Sequence, residues 1–181
     1  MTLFLDADTV LESMTASHAK PLFDLVEANR AHLRSWLGWV DHMQSPAHFE
    51  RFIEGVQARE AARQEASFVI VFQNHIAGRA GIYQLDHQNQ TGSLGYWLGA
   101  GFQGRGLVSS ACRRLLAYGF EELQLNRLEI RCGTGNYKSR AVPERLGFSL
   151  EGVVRQGERV NGVFVDLLSF SLLKDEWLAQ K

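Results

Sequence analysis

Between Gly95 and Val108 the chain reads Gly-Tyr-Trp-Leu-Gly-Ala-Gly-Phe-Gln-Gly-Arg-Gly-Leu-Val. An apolar, strand-like stretch runs into a glycine-rich turn and from there, with no spacer, into a helical pattern. A fold containing this segment must place a helix N-terminus at the end of a strand. Such an end carries unpaired N–H groups and the positive pole of the helix dipole, and glycines let a ligand come close to it. Residues 101–106 spell GxxxxG, but Leu107-Val108 stands where a P-loop has Lys and then Ser or Thr, which excludes nucleotide hydrolysis of that type. Gly104-x-Gly106 begins a dinucleotide fingerprint, yet Ser109 replaces its third glycine and the segment lies past mid-chain. Two readings remain: a tight turn and nothing more, or a seat for a pyrophosphate.

The rest of the chain supplies a core for this turn. With 181 residues, 45% of them hydrophobic and 11 Phe and 4 Trp among them, one folded domain spanning 1–181 is expected. Residues 9–13 read as a short strand, Pro21 to Leu33 as helical, and Ser45-Pro46 as a helix start. Phe49, Phe52, Ile53 and Val56 then share one helix face. Residues 68–72 and 76–85 are strands around Asn74-His75, 86–92 is turn-like, and 94–98 is the strand before the glycine turn. A helix over 108–123, a strand over 127–132, a short helix over 139–145 and strands over 148–155 and 163–172 complete the order. Asn161-Gly162 marks the last hairpin turn. This predicts an α+β (mixed α/β) domain with a largely antiparallel sheet flanked by helices.

The charge balance, 19 basic against 20 acidic side chains and a formal −1, gives no field that would gather nucleic acid or an anionic membrane. No apolar run approaches the roughly 20 residues a membrane helix needs. The opening MTLFLDADTV has acid where a signal peptide has base, so a cytoplasmic address is expected. The six His show no metal spacing, and two cysteines cannot build a sulfur metal site, so no metal is expected.

Gln103-x-x-Gly106-x-Val108 resembles the (Q/R)xxGx(G/A) acetyl-coenzyme A signature of the GNAT acetyltransferases. Gly119 to Leu123, Asn126 to Cys132, Asn136, Lys138-Ser139 and Glu144 to Phe148 follow in that family's order, so the resemblance spans about residues 9–172. Together with His32 to Asp41 these segments are most similar to the RimJ/RimL branch, the ribosomal-protein N-terminal acetyltransferases. Val108 departs from the Gly or Ala of the wider pattern and reads as a mark of that branch. The resemblance implies the GNAT fold and acetyl-CoA as co-substrate. It also implies an acceptor that is a protein N-terminus or, alternatively, a small amine such as a polyamine, an aminoglycoside or a toxin; a homodimer is compatible with it. A non-catalytic acyl-CoA sensing module is the remaining alternative, supported by the lack of a carboxylate in residues 92–98.

Acetyl transfer to an amine needs a held cofactor, a neutral amine, donors for the oxyanion and a proton for the leaving thiolate. The resemblance gives the first task to Gln103, Gly104, Arg105, Gly106, Leu107 and Val108. It gives the oxyanion donor to the backbone N–H near Leu98, with Asn136 and Ser139 also touching the cofactor. Ser139 is either the hydrogen-bond donor to the leaving sulfur or simply a helix-capping residue, two roles that are compatible. Glu158, which resembles a glutamate of the RimL-like pattern, is either the general base, acting directly or through water, or a solvated charge beside a hairpin turn. Tyr96 and Trp97 read as core residues, and Cys132 as a buried small hydrophobe. Arg34, Trp36 and Trp39 are expected to wall the acceptor groove, opposite the Asn161-Gly162 hairpin.

Overall fold

The computed structural model describes residues 1–180. Strands β1 (Thr2–Phe4) and β2 (Thr9–Ser13) are followed by helices α1 (Ala19–Ala28), α2 (Arg30–Leu33) and α3 (Pro46–Ala61). A meander of β3 (Ala66–Phe72), β4 (His75–Asp86) and β5 (Thr91–Leu98) leads into α4 (Leu107–Ala117). Strand β6 (Arg127–Gly133), helix α5 (Tyr137–Arg145), the hairpin β7 (Ser149–Val160) and β8 (Val163–Leu173), and α6 (Lys174–Leu178) complete the described chain. The strands form one sheet in the order β1-β2-β3-β4-β5-β6-β8-β7. Every neighbouring pair is antiparallel except β5 and β6. The mixed α/β architecture with a largely antiparallel sheet therefore matches the expectation from sequence.

Strand β3 explains the layering. Its unbroken apolar run has no polar face because both of its faces are covered. Phe68 and Ile70 enter the core under α4, with Ile82, Leu115, Phe120 and Leu128. Val69 points the other way, into a second core with Leu22 and Val26 of α1 and Phe49, Ile53 and Val56 of α3. The i, i+3, i+4, i+7 spacing of α3 is thus the stripe it buries against the sheet.

One irregularity positions the site. Strands β5 and β6 run parallel and are in register only from Thr91 with Arg127 to Leu94 with Ile130. Beyond that point β5 continues to Leu98 and β6 to Gly133, each without the other as a partner. The sheet splits there like an opened seam.

The boundaries differ from expectation in a few places. Strand β5 begins at Thr91, inside the stretch that reads as a turn, and the tight turn before it is at residues 87–90. The helix expected through residue 123 becomes a π turn at Tyr118–Glu122, which carries Phe120 into the core against Trp177 of α6. Strand β1 and helix α6 lack a sequence signal, because three and five residues are too few to show a period.

Candidate active site

The seam opens into a cleft of about 1040 Å³ bounded by the end of β5, the glycine turn, the first turns of α4 and α5, and α2. Leu98, Gln103, Gly104, Gly106, Leu107, Val108, Asn136 and Ser139 all line it. The contiguous motif and the α5 cap therefore meet in space. Arg105 and Glu158 do not line it. The Arg105 guanidinium lies over the Phe72 ring, 5.6 Å from its centre, so only its backbone belongs to the turn.

The glycines have a conformational reason. Gly104 and Gly106 both sit at φ +76°, in the left-handed region, and no heavy atom stands within 4 Å of where a Cβ would be. Gly106 is the N-cap of α4, and the first intrahelical bond nearby runs from Ser110 N–H to its carbonyl. The N–H groups of Leu107, Val108 and Ser109 are thus left without helical acceptors. This is a cradle with room for an anion, and it fits a pyrophosphate.

Gln103 crosses the mouth of the turn. Its amide nitrogen lies 2.8 Å from His32 Nε2, and its carbonyl oxygen accepts a hydrogen bond from Lys138 Nζ at 2.8 Å. Asn29, at the junction of α1 and α2, accepts from the Ala100 N–H at 2.8 Å. The helical first third is therefore bolted to the turn by side chains of Asn29 and His32, which the sequence reading did not single out.

Beside the seam, the Asn136 side chain accepts from the Ser139 N–H at 3.2 Å and caps α5. Ser139 Oγ donates to the Tyr96 hydroxyl at 3.3 Å, and that hydroxyl donates to the Ser139 carbonyl at 3.0 Å. Burial drives the Tyr96 phenol above its ordinary pKa, so it stays protonated at working pH. Tyr96 thus packs against the core, as expected, and also holds Ser139, a role the sequence alone did not reveal. Burial pushes the Cys112 thiol up to about 12 and raises that of Cys132 as well, so neither is a poised nucleophile.

On the far side, Trp36 and Leu37 line the cleft. The Trp36 ring lies against the backbone of Gly133, 3.5 Å from where a Cβ would stand. Arg34 and Trp39 do not line it as expected. The Arg34 guanidinium is spent on Asp41 at 2.7 Å, and Trp39 packs on Trp97 with ring centres 5.7 Å apart. The Asn161 amide donates to the Arg34 carbonyl at 2.5 Å, which ties the tip of the β7–β8 hairpin to α2. Glu158 stands near that tip, opposite Val165 on β8. The residue is exposed, but its carboxyl end is withdrawn enough from water to raise its pKa. Among the described residues, no carboxylate lines the cleft, whereas Arg113, Lys138 and Arg145 do.

A glycine cradle at a helix N-terminus, beside a split between parallel strands, agrees with what comparison with known proteins finds. The family described as Acetyltransferase (GNAT) domain matches residues 8–149. The chain belongs to the GNAT acetyltransferase family. A Bacillus subtilis (strain 168) protein named as an N-acetyltransferase, YdaF, is 38% identical over 164 residues, covering 90% of each chain. The solved structure of RimL, a ribosomal L7/L12 alpha-N-protein acetyltransferase in complex with coenzyme A, is 27% identical with a TM-score of 0.93. It covers 97% of this chain and 99% of its own. The microcin C7 self-immunity acetyltransferase MccE, solved with acetyl-CoA and AMP, is 29% identical with a TM-score of 0.89, covering 93% and 94%. In this GNAT chain no described helix is long and apolar enough to cross a membrane.

Proposed function

We propose that residues 1–181 act as one acetyltransferase domain that moves an acetyl group from acetyl-CoA to the α-amino group of a protein N-terminus, with a ribosomal protein as the leading acceptor. The observation that carries this reading is a cleft with an open anion cradle and no carboxylate among its lining residues. A polyamine or aminoglycoside site would need carboxylates to hold several ammonium groups. An α-amine, with a pKa of about 7.7–8.0 against about 10.4 for lysine, is partly neutral near pH 7 and asks less of the protein. The likeness to RimL supports the same acceptor class.

Acetyl-CoA, when bound, supplies the acyl group as an activated thioester. The Gly104–Gly106 cradle and the free N–H groups of the first α4 turn hold the pyrophosphate. The unpaired edge of β5 offers backbone groups to the pantetheine arm, and the N–H near Leu98 is the oxyanion donor. Asn136 fixes the first turn of α5, so Ser139 Oγ presents its proton to the departing sulfur; doing so requires it to let go of the Tyr96 hydroxyl. Glu158, on β7 of the hairpin that Asn161 ties to Arg34, lies outside the cleft, which no hairpin residue lines, and takes the amine proton directly or through water. Steady-state turnover with acetyl-CoA tests the reading against three acceptors: a ribosomal-protein N-terminal peptide, the same peptide blocked at its α-amine, and spermidine. Acetylation confined to the free α-amine is expected. A preference for spermidine, or coenzyme A binding without turnover on any amine, would overturn it.

A further inference from the structure

Helix α5 has a gap in its own hydrogen-bond ladder. Pro143 lies inside it, four positions after Ser139. An α-helical carbonyl accepts from the N–H four residues on, and proline has no N–H to give. The Ser139 carbonyl is therefore left without an α-helical donor, and the proline ring crowds it. Ser139 is half-buried, so leaving that oxygen unpaired would cost free energy.

The missing donor comes from across the seam. The Tyr96 hydroxyl donates to the Ser139 carbonyl at 3.0 Å. Tyr96 lies on β5, paired with Ala80 of β4 and two residues beyond the last β5–β6 pair at Leu94. The bond thus joins β5 to the helix that follows β6, at the level where the two strands have parted. With its one proton given to the carbonyl, the phenol oxygen has only lone pairs left for Ser139 Oγ, which donates to it at 3.3 Å. A single side chain holds Ser139 by its backbone and by its hydroxyl. A serine in a helix otherwise tends to turn its hydroxyl back onto a carbonyl of the preceding turn. Here the hydroxyl is drawn toward Tyr96 instead, and both residues line the cleft. The Tyr96 ring is packed against the core, so its hydroxyl is a fixed point.

We infer that Tyr96 is a positioning residue for acetyl transfer: recruited by the N–H that Pro143 lacks, it fixes the first turn of α5 across the seam and keeps the Ser139 hydroxyl within reach of the departing sulfur. This rests on the reading of Ser139 as the hydrogen-bond donor to that sulfur. The phenol proton stays with the Ser139 carbonyl throughout, and the effect on the reaction is exerted through Ser139.

Steady-state kinetics of the full chain with Tyr96→Phe, Ser139→Ala and the double variant tests this. Phenylalanine keeps the ring in the core and removes only the hydroxyl. Tyr96→Phe is expected to lower kcat about tenfold, close to the Ser139→Ala loss, with a smaller change in KM for acetyl-CoA. The double variant should be no slower than Ser139→Ala, because a residue that acts through Ser139 then has nothing to position. Losses that multiply to about a hundredfold, or an unchanged kcat in Tyr96→Phe, would overturn the inference alone. Parental kcat in Ser139→Ala would overturn the reading of Ser139, and the inference with it.

Thermal unfolding separates positioning from stability. Tyr96→Phe strands the Ser139 carbonyl and should lower Tm by about 2–4 °C. Pro143→Ala supplies the missing N–H, so it should raise Tm more in the Tyr96→Phe protein than in the parent, where Tyr96 already serves that carbonyl. The Tyr96→Phe/Pro143→Ala protein should regain Tm and keep its low kcat. Recovery of kcat along with Tm would reduce Tyr96 to a helix-stabilising residue and overturn the inference. Equal gains from Pro143→Ala in both backgrounds would overturn the link between Pro143 and Tyr96.

Discussion

On the α4 side of the cleft, one continuous stretch from the end of β5 through the first turn of α4 supplies the cradle, largely with backbone. The α2 side is assembled from pieces far apart in the chain. Trp36 lies on the backbone of Gly133, Asn161 reaches the Arg34 carbonyl, and His32 meets Gln103. The first wall is pre-formed by local conformation, because φ +76° at Gly104 and Gly106 sets where the N–H groups point. The second exists only if the hairpin and the helical third are both docked. A backbone-built wall suits a ligand common to a whole family, and a side-chain-built wall suits an acceptor that varies.

The largest expected effect breaks the second wall's proposed chemistry. Glu158→Gln should lower kcat/KM by about 10²- to 10⁴-fold near neutral pH if Glu158 is the general base. Burial raises the carboxyl's pKa, so the group takes up a proton at a higher pH than an exposed glutamate would. The acid limb of the parent's pH profile should therefore lie above the usual carboxylate range. The variant should lack that limb and recover partly as pH rises toward the amine's own pKa. Superimposable profiles from about pH 6 to about pH 9, which bracket the α-amino pKa, would leave the amine's own ionisation as the source of the base.

Next is the first wall. Gly106→Asp places a side chain at φ +76° and a negative charge where the helix dipole favours an anion. Together these should weaken coenzyme A binding by about a hundredfold in a folded protein, as read by calorimetry. Unchanged affinity would place the anion seat elsewhere. Ser139→Ala comes third, with kcat lowered about tenfold and a smaller change in KM for acetyl-CoA, because a hydrogen bond to sulfur strengthens as charge builds on it. If kcat is unchanged while the α5 cap is intact, Ser139 has only its local role.

The smallest effect separates the walls most cleanly. Asn161→Ala removes the tie to the Arg34 carbonyl and a residue suited to φ +48°. A loss of about 1 kcal/mol should raise the acceptor KM about fivefold and leave coenzyme A affinity alone. Equal changes in both would mean that the walls are mechanically one unit.

Legibility in the sequence followed the same division. Strand alternation, the Ser45-Pro46 helix start, the Asn161-Gly162 turn and the glycine cradle were readable because each depends on residues a few positions apart. The cap of α5 was not: the sequence offers Ser139 as the capping residue of a helix over 139–145, whereas Asn136 caps a helix that starts at Tyr137, and Ser139 is the N3 residue whose N–H it accepts from. The partner of each long side chain was not readable. Arg105 sits inside the motif but is turned onto Phe72, and Arg34 and Trp39 are consumed by Asp41 and Trp97.

By itself, then, the sequence determined the order and nature of the elements and the backbone shape of the anion cradle, which arise from short-range sterics and hydrogen bonding. Only the tertiary structure decided that β5 and β6 part after Leu94 and Ile130, and that Tyr96 holds Ser139. It also decided that Arg113 and Arg145, rather than Arg114 and Arg140, face the cleft. Successive helix positions differ by about 100° of rotation, so which arginine meets a counter-charge and which meets open space is settled by how each helix docks on the sheet.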